Sequence, residues 1–422
     1  MIHIVKQGET VDSVAYDYGI SPMRLMYDNQ LPTKELVLGQ ALLVLIPEVS
    51  HTVAQGETLT SIGREYGMTA ADILRKNPYL LEQEFLYPGQ VLVISYTEPK
   101  EGTMWLMGYA YPFIKNEILN EVLLYIAQLL VFSYGFTRMG DLIVPEGEQR
   151  LIDRTLEYRK TPILVLTPFS ETGTFSNQLV KAVAEDLPMQ ERLIENLLST
   201  VRQKGYGGVD VDFEYILPED REGYAAFVQN LKHALEPEGY QVSVALAPKI
   251  AADQQGLLYE GVDYALLGEA ADYVFLMTYE WGYVYGPPMA VAPIQKVRQV
   301  LDYAVTEVPA EKIIMGIPNY AYDWPLPYEK GVTKAQTIGN TQAIDIAREQ
   351  GVGIQFDEIA MAPFFRYEMQ GVQHEVWFED VRSIKAKLDA VKEYNFFGAG
   401  YWNLMRPFRA NWLFADSRYE LL

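Results

Sequence analysis

From residue 103 onward, short apolar runs alternate with helical stretches, the pattern of a parallel sheet whose strands are joined by crossover helices. Eight strand-like runs can be placed, at 104–111, 129–136, 162–168, 208–215, 241–247, 273–279, 312–320 and 397–404. Eight is the count of a closed (β/α)8 barrel, and no glycine-rich phosphate fingerprint joins a strand to a helix as an open nucleotide-binding sheet would require. Functional side chains are then expected at the C-terminal ends of the strands. Residues 322–376, between the seventh and eighth runs, are too many for a plain crossover; they contain the aromatic stretch Phe364-Phe365-Arg366-Tyr367 and run into a second, Glu375-Val376-Trp377-Phe378.

The first hundred residues follow another rule. His3-Ile4-Val5-Lys6-Gln7-Gly8-Glu9-Thr10 returns as His51-Thr52-Val53-Ala54-Gln55-Gly56-Glu57-Thr58, a shift of 48 residues from His3 to His51. The register continues: Tyr18-Gly19-Ile20 matches Tyr66-Gly67-Met68, Asn29 matches Asn77, and Gly39-Gln40 matches Gly89-Gln90 after a two-residue insertion. In each copy an alternating run (2–5 and 52–54) precedes Gly-Glu-Thr, whose threonine is placed to cap a helix by accepting an orphan backbone N–H. Ser21 before Pro22, and Thr69 with Asp72 three residues on, mark the starts of second helices. Closing strands at 41–46 and 90–95 complete two βααβ units, one in residues 1–48 and one in 49–97. The Pro-, Glu- and Gly-containing link 97–102 then leads into the barrel, 103–422.

Composition narrows the partners. With 34 Lys+Arg against 56 Asp+Glu the net charge is −22, which repels nucleic acid and anionic membrane surfaces; neither is an expected partner. There is no cysteine, and the four histidines (His3, His51, His233, His374) are scattered, so no metal or cofactor is expected. The N-terminal residues lack the basic and apolar regions of a secretory signal, so export by the general pathway is not expected. The longest apolar stretch, 122–134, is broken by Gln128 and falls short of the roughly 20 residues a membrane helix needs.

The unusual chemistry sits on the fourth run, Gly207-Gly208-Val209-Asp210-Val211-Asp212-Phe213-Glu214-Tyr215. A period of two sends Val209, Val211 and Phe213 outward to the helices and all three carboxylates into the barrel. Branched apolar residues would ordinarily fill those places, because a buried unpaired charge costs several kcal/mol even after relaxation. Same-face neighbours on a strand are about 6–7 Å apart, so three carboxylates cannot comfortably all ionise and at least one proton is shared. Glu214, the outermost, is placed to keep a raised pKa and act as a general acid, with Asp212 as its proton partner.

This run resembles the acidic strand signature of glycoside hydrolase family 18, departing from it at the first acidic position, where Gly207 stands. Met277-Thr278-Tyr279-Glu280-Trp281 on the sixth run and Gly400-Tyr401-Trp402 on the eighth resemble further elements of that family. The resemblance implies substrate-assisted cleavage with retained configuration: Glu214 as acid and then base, Asp212 holding the substrate acetamide, Asp210 tuning the pair, Tyr279 donating to the acetamide and Trp402 flooring the cleaved sugar. Tyr109, Met277, Glu280 and Trp281 are expected around the same subsite, and 322–376 is expected to be a small α+β insertion walling one side of the cleft, with Trp281 and Tyr283 either extending that wall or covered by it. The N-terminal units resemble LysM domains, which bind N-acetylglucosamine polymers; that resemblance implies contacts from Gly8, Thr10, Gly56 and Thr58, which as bare residues could equally serve only to cap and turn. The combined layout resembles the cortex-fragment-lytic N-acetylglucosaminidases of bacilli. It implies peptidoglycan of the spore cortex as partner, germination as the occasion and the spore coat and cortex region as the location. A chitinase is the alternative enzyme, and a lectin with an inert barrel the alternative of another kind.

Overall fold

The computed structural model describes residues 1–169 and 175–422. Its centre is a barrel of eight parallel strands: Leu106–Ala110, Gln128–Phe136, Thr161–Leu166, Gly208–Val211, Gln241–Leu246, Tyr273–Leu276, Ile313–Pro318 and Gly398–Trp402. Each pairs with its neighbour in sequence, and the first closes the ring by pairing with both the second and the eighth. Six fall within the expected runs, and the second and third begin one residue before theirs, at Gln128 and Thr161. The fourth leaves the ladder at Val211, where 208–215 was expected to continue, although Asp212 N still donates to Leu166 O at 2.9 Å. Leaving the ladder lets residues 212–215 splay at the mouth rather than run straight past it.

The alternation on the fourth strand has the expected faces. Phe213 points outward and stacks on Tyr224 and Phe227 of the helix Arg221–Leu235, with ring centroids 5.3 and 6.0 Å away. Burying a side chain of that size stabilises by about 1.5–3 kcal/mol, which pins the strand and fixes which way its odd and even residues face. Inside the barrel a Cβ on Gly400 would stand 2.7 Å from Phe275 Cε2 and 2.8 Å from Met107 Cε, so the bare main chain there makes room for the aromatic filling.

Each N-terminal repeat is a two-stranded antiparallel pair with two helices. The first joins Ile2–Ile4 to Ala41–Leu43, and the second joins Pro47–Thr52 to Val91–Tyr96. The opening strand of the second repeat therefore begins well before the expected 52–54. Its partner is six residues long, and a bulge at Val49 lets Pro47 pair with Tyr96. Thr10, Thr58 and Thr69 cap their helices in reciprocal boxes with Ser13, Ser61 and Asp72, whereas Ser21 precedes Pro22 with no side-chain cap bond.

The repeats are fastened to the barrel. The Arg409 guanidinium lies 3.8 Å from the Tyr27 ring centroid, donates to Tyr27 O and forms a bidentate pair with Glu121 at 2.9 Å. Arg75 reaches the buried Asp416 at 3.1 Å, and the Tyr125 hydroxyl donates to Arg75 O at 2.7 Å. The link after the second repeat is held as well, since Thr103–Met104 pairs in parallel with Glu420–Leu421. Between the seventh and eighth barrel strands lies a five-stranded antiparallel sheet made by Ala321–Leu326, Gln336–Ile338, Gln355–Asp357, Ala362–Met369 and Val372–Trp377, with the helix Asn340–Glu349.

Candidate active site

Asp210 is fully buried within the barrel and accepts two hydrogen bonds, from Tyr109 Oη at 2.9 Å and Ser243 Oγ at 2.6 Å. Burial raises its carboxyl to about 6, against the pull of those two donors. Asp212 comes next on the same face. Its Oδ1 is buried and has no hydrogen-bond partner among the described residues, and burial, with the charges of Glu214 and Asp210 added, holds the carboxyl well above the usual range. Glu214 stands at the mouth, where burial and then the negative charge of Glu280 push it up to about 7. A stack of carboxylates in this state holds at least one mobile proton at neutral pH, which general acid–base chemistry needs.

Above the carboxylates opens a cavity of about 300 Å³ lined by Asp212, Glu214, Tyr109, Met277, Tyr279, Glu280, Trp281 and Trp402. The ring of Trp402 is braced on three sides by Phe132, Tyr109 and Tyr111, at centroid distances of 4.9, 5.6 and 6.1 Å. It thus presents a fixed apolar plate to the cavity. Burial and the nearby carboxylates keep the Tyr279 hydroxyl protonated, so it is a donor. Glu280 accepts from Tyr322 at 3.0 Å and from Tyr320, both on the chain entering the inserted sheet; its backbone is left-handed, with φ +65°. Burial raises Glu280 while these hydroxyls oppose the rise. Trp281 Nε1 is buried without a partner among the described residues, and Lys296 Nζ lies 5.5 Å from its ring centroid.

Eight of the residues singled out in the sequence thus meet in one cavity, and Asp210 lies directly beneath it. Tyr283 does not join them; it is 43% exposed and outside the cavity lining. Gly8, Thr10, Gly56 and Thr58 lie away in the repeats, where both threonine hydroxyls are engaged as helix caps. Sequence reasoning missed Ser243, Tyr111, Phe132, Tyr259, Tyr320 and Tyr322. Ser243 was findable, being a hydroxyl at an inward position of a strand whose other inward neighbour is Ala245. Tyr259 lines the cavity from an irregular stretch with no periodicity to betray it. The repeated octapeptide also hid a network: His3 and His51 each bridge a tyrosine (3.1 and 3.2 Å) and a glutamate (2.8 Å in both). Those glutamates, Glu9 and Glu57, accept from Lys6 N and Ala54 N and are lowered chiefly by these backbone bonds.

Residues 171–406 match Glycosyl hydrolases family 18, and residues 3–44 and 51–95 each match the LysM domain. The chain is 38% identical over 428 residues to the cortical fragment-lytic enzyme of Bacillus subtilis, covering all of this chain and 98% of that protein. Its structure superposes on the crystal structure of the Bacillus cereus spore cortex-lytic enzyme SleL with a TM-score of 0.84 at 35% identity, over 100% of this chain and 98% of that one. The chitinase of Chromobacterium violaceum matches 75% of this chain and 99% of its own, with a TM-score of 0.69 and 25% identity. Behind a glutamate just past the fourth barrel strand lies a stack of carboxylates and above it an aromatic cavity, and these matches give the family: the chain is a glycoside hydrolase of family 18 carrying two LysM domains.

Proposed function

We propose that the protein hydrolyses the glycosidic bond of N-acetylglucosamine residues in spore cortex peptidoglycan fragments during germination, with retention of configuration. The observation that carries this reading is the unpartnered Oδ1 of Asp212, buried between Asp210 and Glu214 on the floor of the cavity. A buried carboxylate oxygen without a donor costs on the order of 1–3 kcal/mol, and a substrate amide N–H aimed at it removes that cost on binding. The 2-acetamido group supplies such an N–H, and its oxygen is then turned toward the anomeric carbon.

In this scheme Glu214 protonates the glycosidic oxygen as the acetamide oxygen attacks, and Asp212 stabilises the oxazolinium charge. Tyr279 donates to the acetamide and Trp402 carries the apolar face of the sugar. Glu214, now ionised, takes a proton from water, which attacks the anomeric carbon on the face the leaving sugar vacated, breaks its bond to the acetamide oxygen and so restores the original configuration and the protonated acid. The departing sugar is under no such demand. A muramic δ-lactam, whose nitrogen is locked in a ring, has no free acetamide and fits only on the leaving side. The relatives named for cortical fragments support this choice of substrate, and the LysM domains support binding to N-acetylglucosamine polymers, with a spore location following from the same kinship.

The test is mass spectrometry of cortex fragments digested by the wild type and by Glu214→Gln. New N-acetylglucosamine reducing ends from the wild type alone are expected, with a loss of roughly 100-fold or more in the variant. Muramic acid at every new reducing end, or faster release of oligomers from chitin than from cortex fragments, overturns the assignment.

A further inference from the structure

The two LysM domains share a repeated pattern, yet their surroundings make them unlike. In the first, the loops holding Gly8, Thr10 and Lys34, with Asp12 of the helix Val11–Tyr18, form one side of a cleft of about 650 Å³ whose other side is Arg348 and Val352 of the barrel insertion. The two sides are locked together. Ile354 N donates to Leu38 O at 2.8 Å, Arg382 donates to Gly39 O at 3.4 Å, and Val37, 5% exposed, belongs to the insertion's own apolar cluster. Gly39 makes the approach possible: with φ +79°, a Cβ there would stand 2.0 Å from Ile354 O.

Among the described residues the second domain has none of this. Gly89, the counterpart of Gly39 at φ +86°, has nothing within 4 Å of a built Cβ, and Tyr87, the counterpart of Val37, is 61% exposed. The Asp12–Lys34 ion pair that ties the helix to the Lys34 loop in the first groove at 2.8 Å also has no equivalent, since Thr60 and Glu84 stand in those places.

We infer that the first LysM groove and the barrel insertion form one composite site for a β-linked N-acetylhexosamine chain, while the second LysM domain offers an open, independent groove. The volume suits a short oligosaccharide. Asp12, Lys34 and Arg348 set donors and acceptors along the cleft, and Val352 adds an apolar face. Because the insertion that walls this cleft also brings Tyr322 to Glu280 in the catalytic cavity, a glycan held there lies in a fixed relation to the barrel. This assignment rests on the glycan-binding reading of the LysM domains.

Hydrogen–deuterium exchange of full-length Glu214→Gln with and without hexa-N-acetylchitohexaose tests it, followed by calorimetric titration of Gly39→Ala, Gly89→Ala and Arg348→Ala in that background. Slowed exchange is expected in peptides covering 8–12, 34–38 and 347–353 together, with one concentration dependence. Gly39→Ala and Arg348→Ala should each weaken that site roughly tenfold, about 1.4 kcal/mol. Gly89→Ala, which carries the same backbone strain without the clash, should leave it unchanged. Protection confined to the LysM loops, with Arg348→Ala binding as before, overturns the composite site alone. Protection of the barrel cavity with none in either LysM domain overturns the glycan-binding reading and this inference with it.

Discussion

Replacing Glu214 with glutamine should stop the reaction and also make the folded protein more stable, in a way that depends on pH. Burial and the charge of Glu280 lift this carboxyl from 4.5 to about 7 in the native state. A group whose native pKa is raised contributes stability that is fully present below the unfolded value and is lost as pH rises through the native one. The window therefore runs from the unfolded value of 4.5 up to about 7. At 1.36 kcal/mol per unit the ionised side chain costs the native state about 3 kcal/mol above that window. Glutamine keeps the shape and carries no charge at any pH, so the variant escapes that loss. Scanning calorimetry of both proteins at about pH 5 and about pH 8.5 should show a small difference at the lower pH. At the higher pH it should widen by about 2–3 kcal/mol in favour of the variant, a shift of several degrees in Tm. A gap of equal size at both pH values would refute the reasoning, since it would mean that Glu214 is not held protonated by its surroundings.

Three further outcomes follow from the same geometry. The alkaline limb of the kcat/KM profile should lie near the Glu214 value of about 7; Glu280→Gln, which removes the nearby negative charge, should move that limb to lower pH, and an unmoved or raised limb in steady-state assays would count against the coupling. Trp402→Ala removes the plate braced by Phe132 and Tyr109; loss of stacking worth about 2 kcal/mol should lower kcat/KM roughly 30-fold, mostly through KM, and a change confined to Tm would show a packing role only. Arg409→Ala removes the stack on Tyr27 and strands Glu121, which is 14% exposed; a loss of about 2–3 kcal/mol is expected, with faster proteolytic release of residues 1–97, and unchanged cleavage would show that other contacts hold the first repeat.

Much of the site was legible in the sequence because period-two alternation is a local property. Once Val209, Val211 and Phe213 are given to the helices, Asp210, Asp212 and Glu214 have nowhere to go but inward. The repeats were legible for a similar reason: a duplicated octapeptide and two capping threonines are local signals. The strand ends were less so, because the alternation continues through Glu214 although the ladder stops at Val211. Ser243 was readable by the same alternation once the identity of its partner, Asp210, mattered.

What lay beyond the sequence were relations between elements far apart along the chain. The hydroxyls of Tyr320 and Tyr322, on the chain just past the seventh strand, reach Glu280, just past the sixth, a meeting of two strand ends that no local pattern records. The carboxyl pKa values follow from burial, which no local pattern measures. The two LysM domains show the division in its plainest form. Their sequences determined two equivalent folds, through caps, turns and alternation acting within about 45 residues. Substitutions such as Thr60 for Asp12 already distinguish them in sequence, but only the tertiary structure gave them different surroundings, by setting the first against the insertion at Gly39 and leaving Gly89 free, because steric contact depends on what arrives from elsewhere in the chain.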